Sequence, residues 1–438
     1  MTFIINTIFK HTNTDHLHGR SAGDNFLALS FITFLLTSSV QAQTDTLSLE
    51  RAIELACKNN ASIKLSQLNY QEAQHHTNEV SGLRYPPLLF RTHYLYAPLP
   101  GYNEIITNNG EYGLQFTTSV PLYDGGARTS TVDQSAAMED RSLVSVEKSK
   151  IDVAFSVRSL YYEILRARGE LTIREKTIDR LQSYLALLRQ LRLGGTATES
   201  DVLKATVDLA NAQVELDQSR QDLEKGKKLL VNVLGIPLDQ AIEVHSADVS
   251  DSAEIPAFNI ENSPDLLLLE HDKKFAKADL RIAQADRLPV LSISGDIGAL
   301  GVKPHEFHQD IGYSILLSLD IPLFTWGSIN NRIQQKELEV DKANAQLELQ
   351  RRDLETEWST TLSNLGVTRK NLKDYGSTIT LAEQNYLSAK ARFAGGTATS
   401  LEVLDAQRSL VETQMNFNKT LFDLRMLLSN ILRLSGKE

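Results

Sequence analysis

The chain of 438 residues has a single cysteine, Cys57, so no intrachain disulfide can form. We read Cys57 as a small, partly buried helix residue. Methionine is scarce, at 4 residues, and gives no support to a soft-metal site. A basic surface is missing too. The net charge is −10 and no basic stripe runs along any segment, which argues against nucleic acid as a partner. No uninterrupted apolar run reaches the ~18 residues of a membrane-spanning helix. Signatures of chemistry are also absent. His305-Glu306-Phe307-His308 lacks the zinc-protease spacing, and the neighbours His75 and His76 point apart on a helix. Gly125-Gly126 and the other glycine pairs are not followed by the lysine of a phosphate loop. The reading is of no enzyme, no cofactor and no metal.

Residues 1–42 read as a secretory signal. Phe26–Leu36 is an apolar h-region, Lys10 and Arg20 precede it, and Val40-Gln41-Ala42 is a small-residue cleavage site. The stretch before the h-region is long, and a translation start further along would shorten it. The mature chain is expected to begin near Gln43; a lipoprotein would need cysteine there.

What the chain does contain is a duplication. Gly194-Gly195-Thr196-Ala197-Thr198 returns 201 residues later as Gly395-Gly396-Thr397-Ala398-Thr399. Between 194–216 and 395–417, ten of 23 positions are identical, so the motif is a true repeat and not two chance turns. A glycine pair followed by threonine reads as a helix stop, a tight turn and a new N-cap. Each copy follows a long helical run and precedes a shorter one, giving two antiparallel hairpins with tips at 194–198 and 395–399. The halves are 43–235 and 264–438. Between them 236–263 is aperiodic and proline-bearing, and reads as a linker across the middle of the helical body. Helical spacing also marks Thr46–Asn59 and Ser62–Gly82.

Each half holds a pair of strands. Tyr85-Pro86-Pro87 stops the first run of helix. Beyond it Phe90, Thr92, Tyr94 and Tyr96 alternate with Arg91 and His93. Tyr112, Leu114, Phe116, Thr118 and Val120 then alternate with Gly113, Gln115, Thr117 and Ser119. The second half repeats this at 290–299 and 311–321, after strands expected at 88–97 and 112–120. Pro121 and Pro322, again 201 apart, are expected to end the strand pairs. Four strands with one apolar face are too few to close a transmembrane barrel of at least ~8; three copies would supply twelve. Tyr85, Tyr112, Tyr123, Phe324 and Trp326 lie at strand ends, where an interfacial aromatic girdle belongs.

The long helices carry a seven-residue apolar stripe. It runs through Ile333, Val340, Leu347 and Leu354, slips by four to Trp358, and resumes at Leu365, Leu372, Ile379, Tyr386 and Phe393. From Leu365 a second line joins it: Thr368, Tyr375, Ala382 and Ala389. The first half matches with Val132, Val146, Val153, Val157, Ile164, Leu171, Ile178 and Leu185, and has the same slip; Glu139 and Arg192 interrupt its line. Such a repeat means left-handed coiled-coil packing, locally unwound at the slip.

Val120-Pro121-Leu122-Tyr123-Asp124-Gly125-Gly126, its copy Ile321-Pro322-Leu323-Phe324…Gly327, and the tip Gly396-Thr397…Val403-Leu404-Asp405-Ala406 resemble the strand-to-helix junctions and tip of TolC-like outer-membrane efflux proteins. The likeness spans roughly the mature chain. It implies an α+β membrane protein. Three chains would build a twelve-stranded transmembrane β-barrel in outer-membrane lipid, with long coiled-coil hairpins forming a periplasmic α-barrel below. It also implies partners: a homotrimer, a periplasmic adaptor and an inner-membrane pump, for efflux or type I secretion, with passive conduction and no enzymatic activity. By the same resemblance Glu402 and Asp405 ring the entrance, and Asp201 takes part in locking the closed state. The family's arginine partner is replaced by Ala398, which leaves Arg192 and Arg392 as candidate gate partners. Spacing supports the acidic pair independently: residues three apart share a helix face, and copies in a narrow mouth would concentrate cations. The alternative for both is a solvated carboxylate favoured by the helix dipole. Gly194, Gly195, Thr196, Gly395, Gly396 and Thr397 suit close backbone approach by an adaptor, or simply make the turn. Two rival architectures, a periplasmic coiled-coil adaptor and an elongated structural coiled coil, need no amphipathic strands.

Overall fold

The computed structural model describes residues 46–96, 110–245, 258–301 and 311–436. The signal-like segment and the His305 and His308 loop lie outside the described residues. Every element below belongs to one compact unit, Thr44–Glu438.

The order is β1 (Thr46–Leu47), α1 (Leu49–Asn59), α2 (Ala61–Gly82), β2 (Leu89–Tyr96), β3 (Gly110–Tyr123), α3 (Ala127–Leu193), α4 (Glu199–Leu234), β4 (Glu243–Val244), α5 (Pro264–Ala285), β5 (Val290–Gly301), β6 (Ile311–Asp320), α6 (Ser328–Ala394) and α7 (Ser400–Leu434). Helices α3 and α6 have 67 residues each, on the order of 100 Å at ~1.5 Å per residue. That exceeds what a globular core needs. α3 packs on α4 and α6 on α7, making the two hairpins; α3 against α7 joins them.

The stripes face inward. Val153, Val157, Ile164, Ile178 and Leu185 on α3, and Ile333, Leu354, Leu365, Tyr386 and Phe393 on α6, are all buried. At the slip in α6, Trp358 stacks on Phe258 from the segment between the halves, centroids 4.2 Å apart and planes 9° from parallel. At the slip in α3, Val157 and Tyr161 pack in a cluster with Leu47 and Val244. The phase change therefore sits where small extra elements dock on each long helix.

Thr46-Leu47 corrects the helical reading of Thr46–Asn59: these two residues form β1 and pair in parallel with β4. Helix α1 starts only after Ser48, whose side chain accepts from the Arg51 amide. The buried Tyr161 hydroxyl donates to Leu47 O at 3.0 Å and His245 O at 2.8 Å, fixing that small sheet on α3. The linker thus contributes a strand that its composition did not signal.

The second sheet has the order β2-β3-β5-β6, all antiparallel. Its register aligns the apolar rows: Phe90 opposite Phe116, Phe116 opposite Ile297, Ile297 opposite Tyr313. Phe90, Tyr94, Tyr313 and Ile315 are exposed on the single chain. The other face pairs Thr117 with Asp296 and Asp296 with Ser314. At Gly298 the strands come unusually close: a Cβ there would sit 2.0 Å from Leu114 O.

Two expectations fail here. Pro121 does not end its strand; β3 continues to Tyr123, with a register shift between Pro121 and Tyr123. Proline lacks the ladder N–H, and a bulge absorbs the irregularity. Tyr112 is buried at 6% exposure, so it is not part of an exposed girdle, whereas Tyr85, Tyr123, Phe324 and Trp326 are exposed.

Candidate functional site

Both tips are built alike. Gly195 and Gly396 take positive φ, 78° and 72°, closed to most side chains at low cost. The amides of Thr196 and Thr397 then reach back to Leu191 O and Arg392 O, each at 2.9 Å, satisfying carbonyls left over at the helix ends. Thr198 and Thr399 begin the return helices with capping boxes. Thr198 Oγ1 accepts from the Asp201 amide at 3.2 Å, and the Thr198 amide donates to Asp201 Oδ2 at 2.9 Å. Thr399 and Glu402 repeat the exchange, 3.2 Å each way.

The capping boxes give Asp201 and Glu402 a structural task. Partial burial pushes the Asp201 carboxyl up, but the Thr198 hydroxyl and amide, with the Ser400 hydroxyl, outweigh it and hold the group below the usual aspartate value. Glu402 is also held low, first by the Thr399 amide and then by Arg392. Arg392 pairs with Glu402 at 2.9 Å, and Arg192 pairs with Glu199. Each arginine closes on its own hairpin. Asp405 lies one turn further along α7 and pairs with Arg408 at 3.3 Å.

Apart from Asp201 with the Ser400 hydroxyl, the contacts that tie one hairpin to the other come from residues the sequence did not single out. Arg408 on α7 also reaches Asp208 on α4 at 3.3 Å. The buried Tyr184 hydroxyl on α3 donates to Ser400 Oγ at 2.9 Å. Burial pushes the Tyr184 phenol up to about 12, against a smaller opposing effect of that bond. Tyr184 also packs on Phe393, centroids 5.7 Å apart, inside a cluster that includes Leu181, Val202, Val403 and Leu404. A signal did exist. Tyr184, Asp208 and Arg408 stand where the other copy, at the 201-residue offset, has Asn385, Ser409 and Val207. The polar ties between the hairpins fall where the repeat is broken.

At the far end the sheet meets the long helices through a turn held by Asp124. Its carboxylate accepts from the Gly126 amide at 3.1 Å and from Arg128 Nε at 2.7 Å. Burial pushes the Asp124 carboxyl up, and the Arg128 and amide bonds bring it below the usual value. No helix among the described residues is long and apolar enough to cross a membrane, and no group of three metal-ligating side chains occurs among them.

A sequence profile of known outer membrane efflux proteins matches residues 52–235 and 259–436. The chain belongs to the outer membrane efflux protein family. This efflux protein is 23% identical to OprJ of Pseudomonas aeruginosa over 387 residues, 84% of its own length and 80% of the relative's. It is 23% identical to OpmQ, a pyoverdine export outer membrane protein of Pseudomonas putida, over 66% of its own length. That match spans 63% of OpmQ, less than two thirds. Among solved structures its fold is similar to the outer-membrane channel OprN, with a TM-score of 0.79 at 20% identity, covering 89% of this chain and 90% of the other. CusC gives 0.82 at 18% identity, covering 90% and 93%. VceC from Vibrio cholerae gives 0.79 at 18% identity, covering 88% and 96%. Its family places the efflux protein in the outer membrane. The adaptor alternative finds no support: the chain has two hairpins and a four-stranded sheet, and its family is one of outer membrane proteins.

Proposed function

We propose that three copies of this chain form a passive duct through the outer membrane, fed by an inner-membrane pump through a periplasmic adaptor. One observation carries the reading. The four-stranded sheet exposes a continuous apolar face, and its outer strands, β2 and β6, are each paired on one side only among the described residues. An open sheet edge is not tolerated in lipid, so the edges must close on other copies. Three copies give twelve strands, apolar outward and polar inward.

The helical layer supports the same count. In the second half α5 packs against both α6 and α3, whereas its counterpart α2 packs on α3 and leaves Leu65 and Leu68 exposed. The contact that α5 makes to the other half is the one α2 would make to the next chain.

In this assembly the copies of Glu402 and Asp405 ring the narrow end and favour cations, while Asp201 holds the first tip in shape. Arg192 and Arg392 brace the tips from within their own hairpins, and Arg408 with Asp208 holds one hairpin against the other. The glycine-threonine tips, Gly194 to Thr196 and Gly395 to Thr397, receive the adaptor. OpmQ is named for pyoverdine export; the cargo of this duct is set by the pump that feeds it.

The test is planar-bilayer conductance of the purified protein, wild type against the Glu402→Ala/Asp405→Ala double variant. The wild type conducts with a preference for cations, and the variant loses that preference. A preparation that stays a soluble monomer and never conducts would sink the duct.

A further inference from the structure

We propose that a cavity between α3, α4 and α7 binds a small amphipathic organic cation, an ammonium or guanidinium group on a short apolar body. The cavity holds about 440 Å³, a size suited to a small molecule. It lies within one chain, so the proposal does not depend on the duct.

Its apolar lining comes from Leu181 on α3, Ala212 on α4, and Leu404 and Met415 on α7. The first three belong to the buried cluster that joins the hairpins, so the floor is fixed by packing that exists without a ligand. A pre-formed floor lowers the ordering cost of binding.

Two features say what fits. The first is charge. Three carboxylates line the cavity, Asp208, Glu215 and Glu412, against two cations, Arg174 and Arg408. Arg174 pairs with Glu215, and Arg408 pairs with Asp208 at 3.3 Å. Glu412 has neither an ion pair nor a hydrogen bond among the described residues, so one negative charge is left over. The second is a buried acceptor. Gln407 lines the same cavity at 3% exposure, its side-chain amide has no hydrogen-bond partner among the described residues, and a half-turn of that amide presents Oε1 to the cavity. A buried amide oxygen without a donor carries its desolvation cost unrelieved.

Both features ask for a positively charged N–H donor. An anion would meet the surplus carboxylate. A neutral apolar molecule would displace water from the exposed Glu412 without replacing it by a charge partner, and would leave Gln407 unmatched. A bare metal ion would find no group of three ligating side chains. An ammonium at the Gln407 and Glu412 side, with its apolar body against Leu181 and Met415, satisfies all of them.

The probe is phenethylammonium, titrated by calorimetry into the detergent-solubilised full-length protein. Saturable binding at one site per chain is expected. Neutral 2-phenylethanol should not bind, and phenethyltrimethylammonium, which has no N–H, should bind about tenfold more weakly. Glu412→Gln and Gln407→Leu should each weaken phenethylammonium by about tenfold, while Glu355→Gln, an exposed carboxylate elsewhere on α6, should leave it unchanged. Absence of saturable heat overturns the proposal, and so does binding that Glu412→Gln leaves intact. Should Gln407→Leu fail to fold, Glu412→Gln at its exposed position decides alone. Binding is read without conduction, so failure of the duct reading and failure of this one are separate results.

Discussion

The Tyr184 hydroxyl donates to Ser400 Oγ at 2.9 Å, and both residues are buried. One belongs to the first hairpin and the other is the first residue of the return helix in the second. Tyr184→Phe keeps the ring contact with Phe393 and removes only the hydrogen bond. It should cost about 1 kcal/mol and lower the thermal midpoint of the helical signal. The phenol also has a pH signature, set by its burial and not by the bond. The folded phenol titrates at about 12, above its ordinary 10.0, so its contribution is complete below pH 10.0 and is lost as pH rises toward 12. The wild type should lose stability over that range, and Tyr184→Phe should lose less. Parallel curves for the two proteins would refute this.

The caps predict a different window. Thr198→Ala and Thr399→Ala should each cost about 1 kcal/mol and raise the rate of proteolysis at the matching tip. Asp201 is held below its ordinary 3.8, so its contribution is present above that pH and disappears as pH falls through the folded value. In Asp201→Ala the acid-dependent part of tip protection should be missing when proteolysis is followed down to pH 3.

Arg408→Ala and Asp208→Ala should each raise single-channel conductance, because the pair spans the two hairpins at 3.3 Å. The double variant should add little to either single change, since each one already breaks the pair. Arg192→Ala and Arg392→Ala should leave conductance near the wild-type value, because their partners Glu199 and Glu402 lie on their own hairpins. Equal effects from all four would show that the tips act as one unit.

On the sheet, neighbouring positions should behave oppositely. Ile315→Arg puts a charge on the exposed apolar face and should cost about 2–4 kcal/mol near the middle of the bilayer. It should sharply reduce the protein recovered in the outer-membrane fraction, while Ser314→Arg on the other face should be recovered normally. Gly298→Ala should also fail to assemble, since the added carbon would meet Leu114 O at 2.0 Å and backbone cannot step aside. Recovery of Ile315→Arg in the membrane at wild-type level would reverse the assignment of faces.

The elements were legible because each rests on a local period. Alternation at Tyr112–Val120 and Ile311–Ile321 marked two of the strands, and the seven-residue stripe from Leu365 to Phe393 marked the buried side of α6. The glycine pairs at the tips and the threonines that cap the return helices were equally visible. What escaped depends on distance along the chain. Leu47 meets Val244, and Asp208 meets Arg408, across separations that no window of sequence spans. Pro121 misled because proline usually ends a strand, and here a bulge carries the strand two residues further. Glu402 and Asp201 stand out in the sequence as charges; that their carboxylates also close capping boxes follows from their place three residues after Thr399 and Thr198.

The stacking of Trp358 on Phe258 fixes a level on the molecule at which the coiled coil starts its count afresh. Below that level only whole heptads separate Leu365 from Phe393, so one added heptad in each of α3, α4, α6 and α7 would lower both tips by about 10 Å and bring them back to the same azimuth. Depth of reach is therefore a quantity this architecture can change in fixed steps, leaving the Phe258 segment and the sheet above it untouched.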